Sequence, residues 1–335
     1  MTAHRLGLVG SGIDMSLAPA FHVLAGKLVG IEVSYELIPR DPTLAPEFDA
    51  FLRQLAADGY HGVNVTVPFK ASAALAATRP SPEVVATGVA NTLLLGPGGP
   101  THAHNTDMSG FRWAYRRRFG HEPPGTVAVL GAGGVGSATA AALVDLGATA
   151  LRIYDVVPDR SQALAALLGR RDHDVQVDVA ASAEDAIDGV DGLVNGTPVG
   201  MSWSPGTPVD LRAVAGQRWI FDAVYSPIET PLMVRATEVG LDRITGFDLF
   251  LGQAIDAFEI FTGHDLASGV VHELETNLGI LERERGVRVR RRGRFRTVTA
   301  TSSSSAGRTP AGPTSADAWP GSSSAPSPMR TSRSS

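Results

Sequence analysis

Short apolar runs alternate with helical stretches along residues 1–107. The runs LGLVG, VSYELIP and GVNVTVP have the length and pattern of buried strands, and segments with a helical pattern lie between them. The turn GPGGP separates NTLLLG from THAHNTD, which predicts a β-hairpin. Strands that alternate with helices are typical of a layered α/β structure on a parallel sheet, and we expect one here.

A second series of the same kind runs from residue 126 to about 245. Its predicted strands are TVAVLG, ALRIYD, VQVDVA, GLVNGT and WIFDAVY, and stretches such as SATAAALVDLG between them are predicted helices. MSGFRWAYRRRFG predicts a helix that leads into this series. FDLFLGQAIDAFEIFTG predicts a helix over 247–263 that ends at Gly263. The pattern divides the chain into the segments 1–107, 108–246, 247–283 and 284–335.

The last of these segments, 284–335, differs in composition from the rest. It carries most of the basic run RERGVRVRRRGRFR and continues with Ser, Pro and Gly and few apolar residues. Such a segment buries too little apolar surface to offset its ordering entropy, so we predict a disordered tail. The arginines could bind nucleic acid, but we favour a solvated tail and expect no nucleic-acid partner. Out-of-frame translation of GC-rich DNA would give the same abrupt shift, a hypothesis that resequencing tests.

Composition narrows the class of protein. The chain has 335 residues, of which 43% are hydrophobic and 19% charged, and its net charge is −5. These values are typical of a globular protein large enough for two domains. The absence of cysteine excludes disulfides and thiolate metal sites and fits a reducing compartment. Because neither a signal peptide nor an apolar run of membrane-spanning length is present, we expect a soluble cytoplasmic protein without a membrane partner.

The segment VAVLGAGGVGSATAAALVDLG carries glycines at the G-x-G-x-x-G spacing. The motif follows an apolar strand and opens a helix of small residues, which is the context of a dinucleotide-binding turn. Gly131 permits the tight turn, Gly133 lets the backbone approach a pyrophosphate, and Gly136 lets helix and strand pack closely. A βα turn with purely structural glycines is the alternative. We predict that the cofactor contacts the loop residues Gly131, Ala132, Gly133, Gly134, Val135 and Gly136.

The next predicted strand, within LRIYDVVPDR, ends at Asp155, roughly 20 residues beyond the glycines. A carboxylate at this position can hydrogen-bond both ribose hydroxyls, and it would repel a 2′-phosphate. We therefore predict NAD rather than NADP as the cofactor. Arg160 follows a few residues later. It could help to bind a phosphate, although we expect it to lie on the following helix.

Two ionisable residues stand at strand ends in the first region. Lys70 ends GVNVTVPFK, and Asp107 ends THAHNTD. Opposite a dinucleotide domain, a lysine and an aspartate suit alcohol–ketone chemistry, in which the nicotinamide takes the hydride and a base takes the hydroxyl proton. A surface lysine at the start of a helix is the alternative for Lys70. Because a base must be deprotonated to act, we expect oxidation of the alcohol to accelerate as the pH rises.

Further polar residues accompany these two. Asn91 can both donate to and accept from a substrate hydroxyl, Thr66 offers a hydroxyl, and Ser16 can hold a carboxylate at a helix start. The alternatives are a turn asparagine, a sheet-forming threonine and an N-cap serine. His102 and His104 alternate on one strand, but without a supporting carboxylate cluster we interpret them as ordinary histidines and predict no metal site.

In this order, these residues resemble the shikimate/quinate dehydrogenase family from GLVGSGIDMSLAPAFH to about residue 280. The other segments that carry the resemblance are GVNVTVPFK, ANTLLL, HNTDMSGF, GAGGVG, NGTPVGM, VYSPIETPL and GQAIDAFEIFTG. The resemblance implies an α/β substrate domain over 1–107, a Rossmann NAD-binding domain over 108–246 and a cleft between them. It also implies that the helices of 247–283 pack back on the first domain.

The resemblance assigns roles to individual residues. Lys70 and Asp107 match the catalytic pair of the family. The positions that match binders of the ring acid are Ser16, Thr66, Asn91, Tyr225 and Gln253. The positions that match the cofactor side are the loop glycines, Asp155, Thr197 and Gly246. IYD and PIET are most similar to the NAD-dependent quinate/shikimate branch.

The resemblance implies an oxidoreductase that interconverts quinate with 3-dehydroquinate and shikimate with 3-dehydroshikimate. Such an enzyme belongs to the shikimate pathway of aromatic amino acid biosynthesis, binds a small-molecule substrate and can form a homodimer. One position departs from the family pattern: Ala18, in SLAP, stands where a second hydroxyl residue is usual. A lost hydrogen bond to a charged group is worth roughly 1.5–3 kcal/mol, or about tenfold or more in affinity.

Three alternatives stay open at this point. The departure at Ala18 is compatible with a modified ring acid such as aminoshikimate or aminoquinate. A ligand-sensing homologue without turnover is a second alternative, which loss of Lys70 or Asp107 would have favoured. A different Rossmann enzyme, for example a folate-linked dehydrogenase, is a third, and the substrate-side segments argue against it.

Overall fold

The computed structural model describes residues 3–170 and 174–281, so the tail predicted to be disordered lies outside the described residues. Within this part of the chain, the first sheet has six strands. They are β1 (His4–Gly10), β2 (Val33–Pro39), β3 (Gly62–Val65), β4 (Arg79–Pro80), β5 (Thr92–Gly96) and β6 (Gly99–His104). The helices of this region are α1 (Ala18–Val29), α2 (Phe48–Ala57), α3 (Lys70–Ala76) and α4 (Pro82–Thr87), with a 3-10 helix at Pro42–Glu47.

The first sheet is mixed rather than wholly parallel. Its strand order is β2–β1–β3–β5–β6–β4, and β1 is parallel to both β2 and β3. The predicted hairpin is confirmed, because β5 and β6 pair antiparallel, and β5 is also antiparallel to β3. Strands joined by a short turn pair antiparallel, since a parallel pair needs a long crossover. The expectation of a parallel sheet is therefore right for β1, β2 and β3, whereas the antiparallel pairing of β5 with β3 was not predicted.

The second sheet, also of six strands among the described residues, is parallel throughout. Its strands are β7 (Thr126–Leu130), β8 (Ala150–Tyr154), β9 (Gln176–Val179), β10 (Gly192–Asn195), β11 (Trp219–Asp222) and β12 (Asp242–Thr245). The order β12–β11–β10–β7–β8–β9 reverses at β7, which is the doubly wound Rossmann arrangement that the sequence predicts. Dinucleotides bind at such a switch point, outside the carboxyl ends of the strands.

Six further helices and one short 3-10 helix complete the elements with defined bounds in the described residues. The helices are α5 (Thr106–Phe119), α6 (Gly134–Asp145), α7 (Pro158–Leu168), α8 (Ala183–Ile187), α9 (Pro231–Glu238) and α10 (Gly246–Thr262), and the 3-10 helix is Leu211–Ala213. Residues 268–281 are also helical. In this part of the chain no helix is both long enough and apolar enough to cross a membrane.

The alternation along β1 sends its apolar side chains into two cores. Leu6 and Leu8 pack with residues of α1 and α10, whereas Val9 packs with residues of α2 and α3 on the other face. Leu274 and Leu278, from the helical residues 268–281, join the first of these cores. The chain therefore returns to the first sheet after it has completed the second one.

Two glycines let α5 and α10 cross at backbone distance. A Cβ atom on Gly110 would lie 2.5 Å from the backbone nitrogen of Gln253, and one on Gly252 would lie 2.8 Å from the carbonyl oxygen of Gly110. No side chain separates the two helices at this crossing. The start of α5, which carries Asp107, is thereby held next to the segment of α10 that carries Gln253.

We expect Gly110→Ala to destabilise the fold by about 1–3 kcal/mol, because the new methyl group would press on backbone atoms that cannot move independently. Gly269→Ala is the matched control, since a Cβ atom there meets nothing within 4 Å. That control should leave stability unchanged or raise it by up to about 1 kcal/mol. Urea unfolding of both variants measures this, and equal stability of the two would contradict the tight crossing.

His22, on α1, is only 1% exposed. Its ring stacks on Tyr35 with centroids 4.5 Å apart and an interplanar angle of 7°, and the rings of Phe258 and Phe261 lie close by. Burial lowers the pKa of His22 to about 3, against the smaller opposing effect of a hydrogen bond with Asn64. His22 is therefore neutral in the folded protein at physiological pH.

The buried histidine should make the fold sensitive to acid. An unfolded histidine titrates near 6.5, so below that pH the unfolded state binds a proton that the folded state excludes. This group alone should lower the free energy of unfolding by up to about 1.4 kcal/mol per pH unit between about 6.5 and 3. Urea unfolding between pH 7 and about 4.5 should show a shallower slope for His22→Phe than for the wild type. Parallel profiles for the two proteins would rule this out.

Candidate active site

Lys70 and Asp107 are in direct contact. Lys70 is the first residue of α3 and Asp107 the second of α5, and the Lys70 Nζ to Asp107 Oδ2 distance is 2.5 Å. Both residues are buried, at 8% and 6% exposure. Phe69 holds the start of α3, because its ring stacks on Phe48 in the core at 4.8 Å. Asn105 caps α5 by accepting a hydrogen bond from the backbone of the helix.

The same lysine lies against the glycine turn of the second sheet. A Cβ atom on Gly134 would lie 2.9 Å from Cδ of Lys70, so the lysine stem packs directly against this glycine and would have to shift for a larger residue. Gly134 is the first residue of α6, which follows the predicted dinucleotide loop. The helices α3 and α6, which follow strands of the two sheets, are therefore in contact where the candidate base lies beside the candidate cofactor loop.

The backbone geometry of the loop requires glycine at two of the three spaced positions. Gly131 has φ +92°, and a Cβ atom on it would lie 2.7 Å from Cγ2 of Thr197. A Cβ atom on Gly136 would lie 1.8 Å from the carbonyl oxygen of Gly131. Gly133, the N-cap residue of α6, has open space instead, since a Cβ atom there meets nothing within 4 Å. Because no side chain caps this helix, its N-terminal N–H groups are available to an anion.

Asp155 follows β8 and is bound to the glycine loop. Its Oδ2 accepts from the backbone N–H of Ala132 at 2.7 Å, and its Oδ1 accepts from the backbone N–H of Val157 at 2.8 Å. Each carboxylate oxygen keeps a further lone pair for a ribose hydroxyl. The sequence did not reveal this second role, in which the acid positions the loop. Arg160 lies exposed in the first turn of α7, as expected.

Thr197 and Gly246 lie beyond the carboxyl ends of β10 and β12. Asn195 fixes Thr197, because its Oδ1 accepts from the Thr197 backbone N–H at 3.1 Å and from the Thr197 hydroxyl at 2.6 Å. Asn195 in turn donates to the buried Asp222 at 2.9 Å, and burial raises the pKa of that carboxyl. Gly246 starts α10, where a Cβ atom would lie 2.6 Å from the carbonyl oxygen of Ala223. Sequence reasoning missed Asn195 and Asp222, which are distant in sequence but adjacent in the sheet.

Asn91 and Gln253 are brought together by Thr106. The Oδ1 atom of Asn91 accepts from the backbone N–H of Thr106 at 2.8 Å and from its hydroxyl at 3.1 Å. The same hydroxyl lies 3.4 Å from Oε1 of Gln253. Thr106 immediately precedes Asp107, so these two amides lie beside the lysine–aspartate pair. Sequence analysis did not single out Thr106, although it stands in the HNTD segment.

The remaining predicted substrate positions line the ends of the first strands and α10. Thr66 follows β3, and its Cγ2 would lie 2.3 Å from a Cβ atom on Gly10, at the end of β1. The ring of Tyr225 stacks on Phe250 of α10 at 5.7 Å. In the described residues, neither Thr66 nor Ser16 hydrogen-bonds to Lys70 or Asp107.

Ser16 lies one residue before the N-cap of α1 rather than at it. The N-cap residue is Leu17, so the N-cap interpretation of Ser16 is wrong. The Ser16 hydroxyl oxygen accepts from the backbone N–H of Ala18 at 3.2 Å. The helix begins later than the serine suggests, with Pro19 in its first turn.

His102 and His104 lie on the same face of β6, with ring centroids 6.4 Å apart. Burial lowers the pKa of His104, and the nearby His102 lowers it further. Among residues 3–170 and 174–281, no group of three or more His, Cys, Asp or Glu side chains is arranged to hold a metal ion.

Comparison with known proteins identifies relatives of this chain. The family model described as "Shikimate dehydrogenase substrate binding domain" matches residues 8–93, and "Alanine dehydrogenase/PNT, C-terminal domain" matches residues 119–204. The quinate/shikimate dehydrogenase (NAD(+)) of Corynebacterium glutamicum strain R is 36% identical over 263 residues, which cover 77% of this chain and 93% of the relative. The shikimate dehydrogenase (NADP(+)) of Streptomyces avermitilis is 35% identical over 269 residues, 78% of this chain and 91% of the relative.

Solved structures give the same relationship. Quinate dehydrogenase from Corynebacterium glutamicum in complex with NAD superposes with a TM-score of 0.73 at 33% identity, covering 82% of this chain and 98% of that one. Shikimate 5-dehydrogenase from Thermus thermophilus in complex with NADP(H) and shikimate gives a TM-score of 0.70 at 29% identity, covering 82% and 99%. With relatives at this identity aligned over three quarters of its length, the chain belongs to the shikimate/quinate dehydrogenase family.

Proposed function

We propose that this chain is an NAD-dependent oxidoreductase that interconverts a ring hydroxyl and a ketone in quinate- and shikimate-type acids. One observation carries the proposal: Lys70 is buried against Asp107 on one side and against Gly134 of the dinucleotide loop on the other. The quinate/shikimate dehydrogenase (NAD(+)) relatives support this substrate class.

In the proposed mechanism, Lys70 takes the proton of the ring hydroxyl at its Nζ during oxidation and returns it during reduction. Asp107 positions Nζ through the 2.5 Å contact and supplies the counter-charge when Lys70 is protonated. The nicotinamide, when bound, supplies the hydride acceptor. The low exposure of both side chains excludes bulk water from the proton transfer.

NAD is the cofactor that the site fits. The loop residues Gly131, Ala132, Gly133, Gly134, Val135 and Gly136 would hold the pyrophosphate, with Thr197 and Gly246 alongside. Asp155 would bind the ribose hydroxyls and repel a 2′-phosphate. Arg160, exposed on α7, is the residue that would assist a phosphate, and several relatives at 34–36% identity are named for NADP(+). The buried acid beside the loop leads us to propose NAD over NADP.

The ring acid would be held by five side chains: Ser16, Thr66, Asn91, Tyr225 and Gln253. Ala18 contributes no hydroxyl, so a carboxylate near the start of α1 has the Ser16 hydroxyl but no second one at Ala18. We propose quinate and shikimate as substrates and keep the amino analogues as the second candidate, because Ala18 departs from the family pattern. A ligand sensor without turnover is disfavoured, since Lys70 and Asp107 are both present and paired.

We also propose a domain organisation for the chain. Residues 1–107 would form the substrate domain, 108–246 the NAD domain, and 247–283 the helices that return to the first sheet. We propose a cytoplasmic enzyme with a small-molecule substrate, possible assembly as a homodimer, and no nucleic-acid or membrane partner.

Lys70→Met tests the base directly, because methionine keeps an apolar stem against Gly134 but cannot take a proton. We expect turnover of quinate and shikimate with NAD to fall by about 100-fold or more. Affinity for NAD, measured by calorimetry, should stay within about twofold of the wild type. Turnover that survives in Lys70→Met would remove the lysine from the mechanism.

Gly133→Ala tests the cofactor loop separately from the fold. The space around Gly133 is open, so the free energy of unfolding should not change, whereas affinity for NAD should fall about tenfold or more as the methyl group displaces the pyrophosphate. Gly216→Ala, in equally open space before β11, is the matched control and should change neither quantity. Unchanged NAD affinity in Gly133→Ala would show that the pyrophosphate does not bind there.

A further inference from the structure

The side-chain amide of Asn91 is held by donors of the protein itself. Its Oδ1 accepts from the backbone N–H of Thr106 at 2.8 Å, from the Thr106 hydroxyl at 3.1 Å and from the Thr92 hydroxyl at 3.0 Å. A backbone N–H can only donate, so the atom that faces it must be the amide oxygen and not the nitrogen. The hydrogen bond from the Thr106 backbone N–H therefore decides which end of the Asn91 amide is the oxygen.

This orientation leaves only one end of the amide for a ligand. Asn91 is 4% exposed, and its Nδ2 donates no hydrogen bond within the part of the chain that the structure describes. The sequence allows Asn91 to donate or to accept. The structure removes the second option, because all protein donors converge on Oδ1 and only the N–H₂ group remains.

A further layer of buried polar groups reinforces the orientation. Nδ2 of Asn64 donates to the carbonyl oxygen of Asn91 at 3.2 Å and to the Thr92 hydroxyl at 3.0 Å. The Tyr35 hydroxyl donates to Oδ1 of Asn64 at 2.8 Å. The Thr92 hydroxyl accepts from Asn64, and its single proton has two acceptors within reach, Oδ1 of Asn91 at 3.0 Å and the Thr106 hydroxyl at 3.2 Å. Donation therefore runs from Tyr35 to Asn64 and from Asn64 to Thr92, and the backbone N–H of Thr106 is the donor that fixes the Asn91 amide.

We propose that this network makes Asn91 an obligate hydrogen-bond donor to the substrate, so that its subsite selects a ring oxygen over a ring ammonium group. The inference rests on the proposed function and narrows its substrate class. Tyr35, Asn64 and Thr92 act through Asn91 and are positioning residues.

The selection follows from the chemistry of the two groups. A hydroxyl oxygen accepts a hydrogen bond and so does the ketone oxygen formed from it, so both redox states of a ring acid suit a donor. An ammonium group has donors only and would face the N–H₂ group of Asn91 without an acceptor. A site built around a buried hydrogen bond rejects an analogue that leaves its polar group unpaired. The subsite therefore disfavours the amino analogues at the ring position that Asn91 faces.

Asn91→Asp is the direct test, because the aspartate keeps one oxygen for Thr106 and Thr92 and presents an acceptor in place of the N–H₂ group. The probes are shikimate and a set of shikimate analogues in which each ring hydroxyl is replaced in turn by an ammonium group. Dissociation constants measured by calorimetry give the hydroxyl-to-ammonium preference at each position. At one ring position the wild type should prefer the hydroxyl by about 100-fold or more, and Asn91→Asp should lower that preference at least about tenfold.

Thr92→Val tests the positioning role. We expect KM for shikimate to rise about fivefold, which is the change in affinity that corresponds to the loss of one hydrogen bond. KM for NAD and kcat should stay within about twofold of the wild type. Thr92→Ser should restore KM. Thr139→Val is the matched control, since Thr139 is equally buried and its hydroxyl has no partner in the described residues. A purely structural role of Thr92 would lower the melting temperature and leave the KM for shikimate unchanged.

The outcomes separate the two proposals. If the wild type binds and oxidises shikimate but Asn91→Asp leaves every hydroxyl-to-ammonium preference unchanged, the inference about Asn91 is overturned and the proposed function stands. If Thr92→Val raises KM for NAD as much as KM for shikimate, the positioning role is overturned. If the wild type neither binds nor oxidises any ring acid, both the proposed function and the inference about Asn91 are overturned.

Discussion

The site depends on the burial of one lysine between a carboxylate and a glycine. Removing a charged side chain from water is costly unless a counter-charge replaces the lost hydration, and Asp107 supplies one at 2.5 Å. The stem of Lys70 packs against Gly134, where a Cβ atom would lie 2.9 Å from the lysine Cδ. These two contacts bring the N-termini of α3, α5 and α6 together, beyond the carboxyl ends of strands from both sheets.

The scaffold meets this requirement with close backbone contacts in addition to the Phe69–Phe48 stack. Gly110 and Gly252 let α5 and α10 cross at backbone distance, which fixes the position of Asp107 relative to Gln253. Gly136 lies against the carbonyl oxygen of Gly131 and closes the loop that Lys70 touches. Contacts of this kind resist deformation, because a closely packed interior has low compressibility and leaves no free space into which the backbone could shift. We therefore expect Lys70 and Asp107 to hold their positions before a ligand binds.

Sequence reasoning could predict the features that depend on local pattern. The sequence predicts the alternating strands and helices, the hairpin at GPGGP and the turn at Gly131. These features follow from the hydrophobic period, the turn residues and the spacing of the glycines. The resemblance supplied Lys70 and Asp107 as a pair, and the structure brings them into contact. The antiparallel pairing of β5 with β3 was missed, because the sequence does not state which strand a hairpin joins.

The buried polar contacts to which we assign the specificity of the site could not be predicted in the same way. In the sequence, Asn64 is only one residue of a predicted buried strand. Its hydrogen bonds to Asn91 and Thr92 depend on the register between β3 and β5. The bond from Ala132 to Asp155 likewise depends on how β7 and β8 are aligned. A buried polar group gains its partners from the tertiary fold, and so its role becomes visible only there.

The Lys70–Asp107 pair and the glycine loop are, in this account, two halves of one hydride-transfer site. The most direct measurement is the rate of NADH formation when the purified full chain is mixed with NAD and either quinate or shikimate at about pH 9. We expect steady, enzyme-dependent formation of NADH with at least one of the two acids, and slower formation of the reduced cofactor when NADP replaces NAD. No NADH with either acid, from a protein that is folded and binds NAD, would contradict the account.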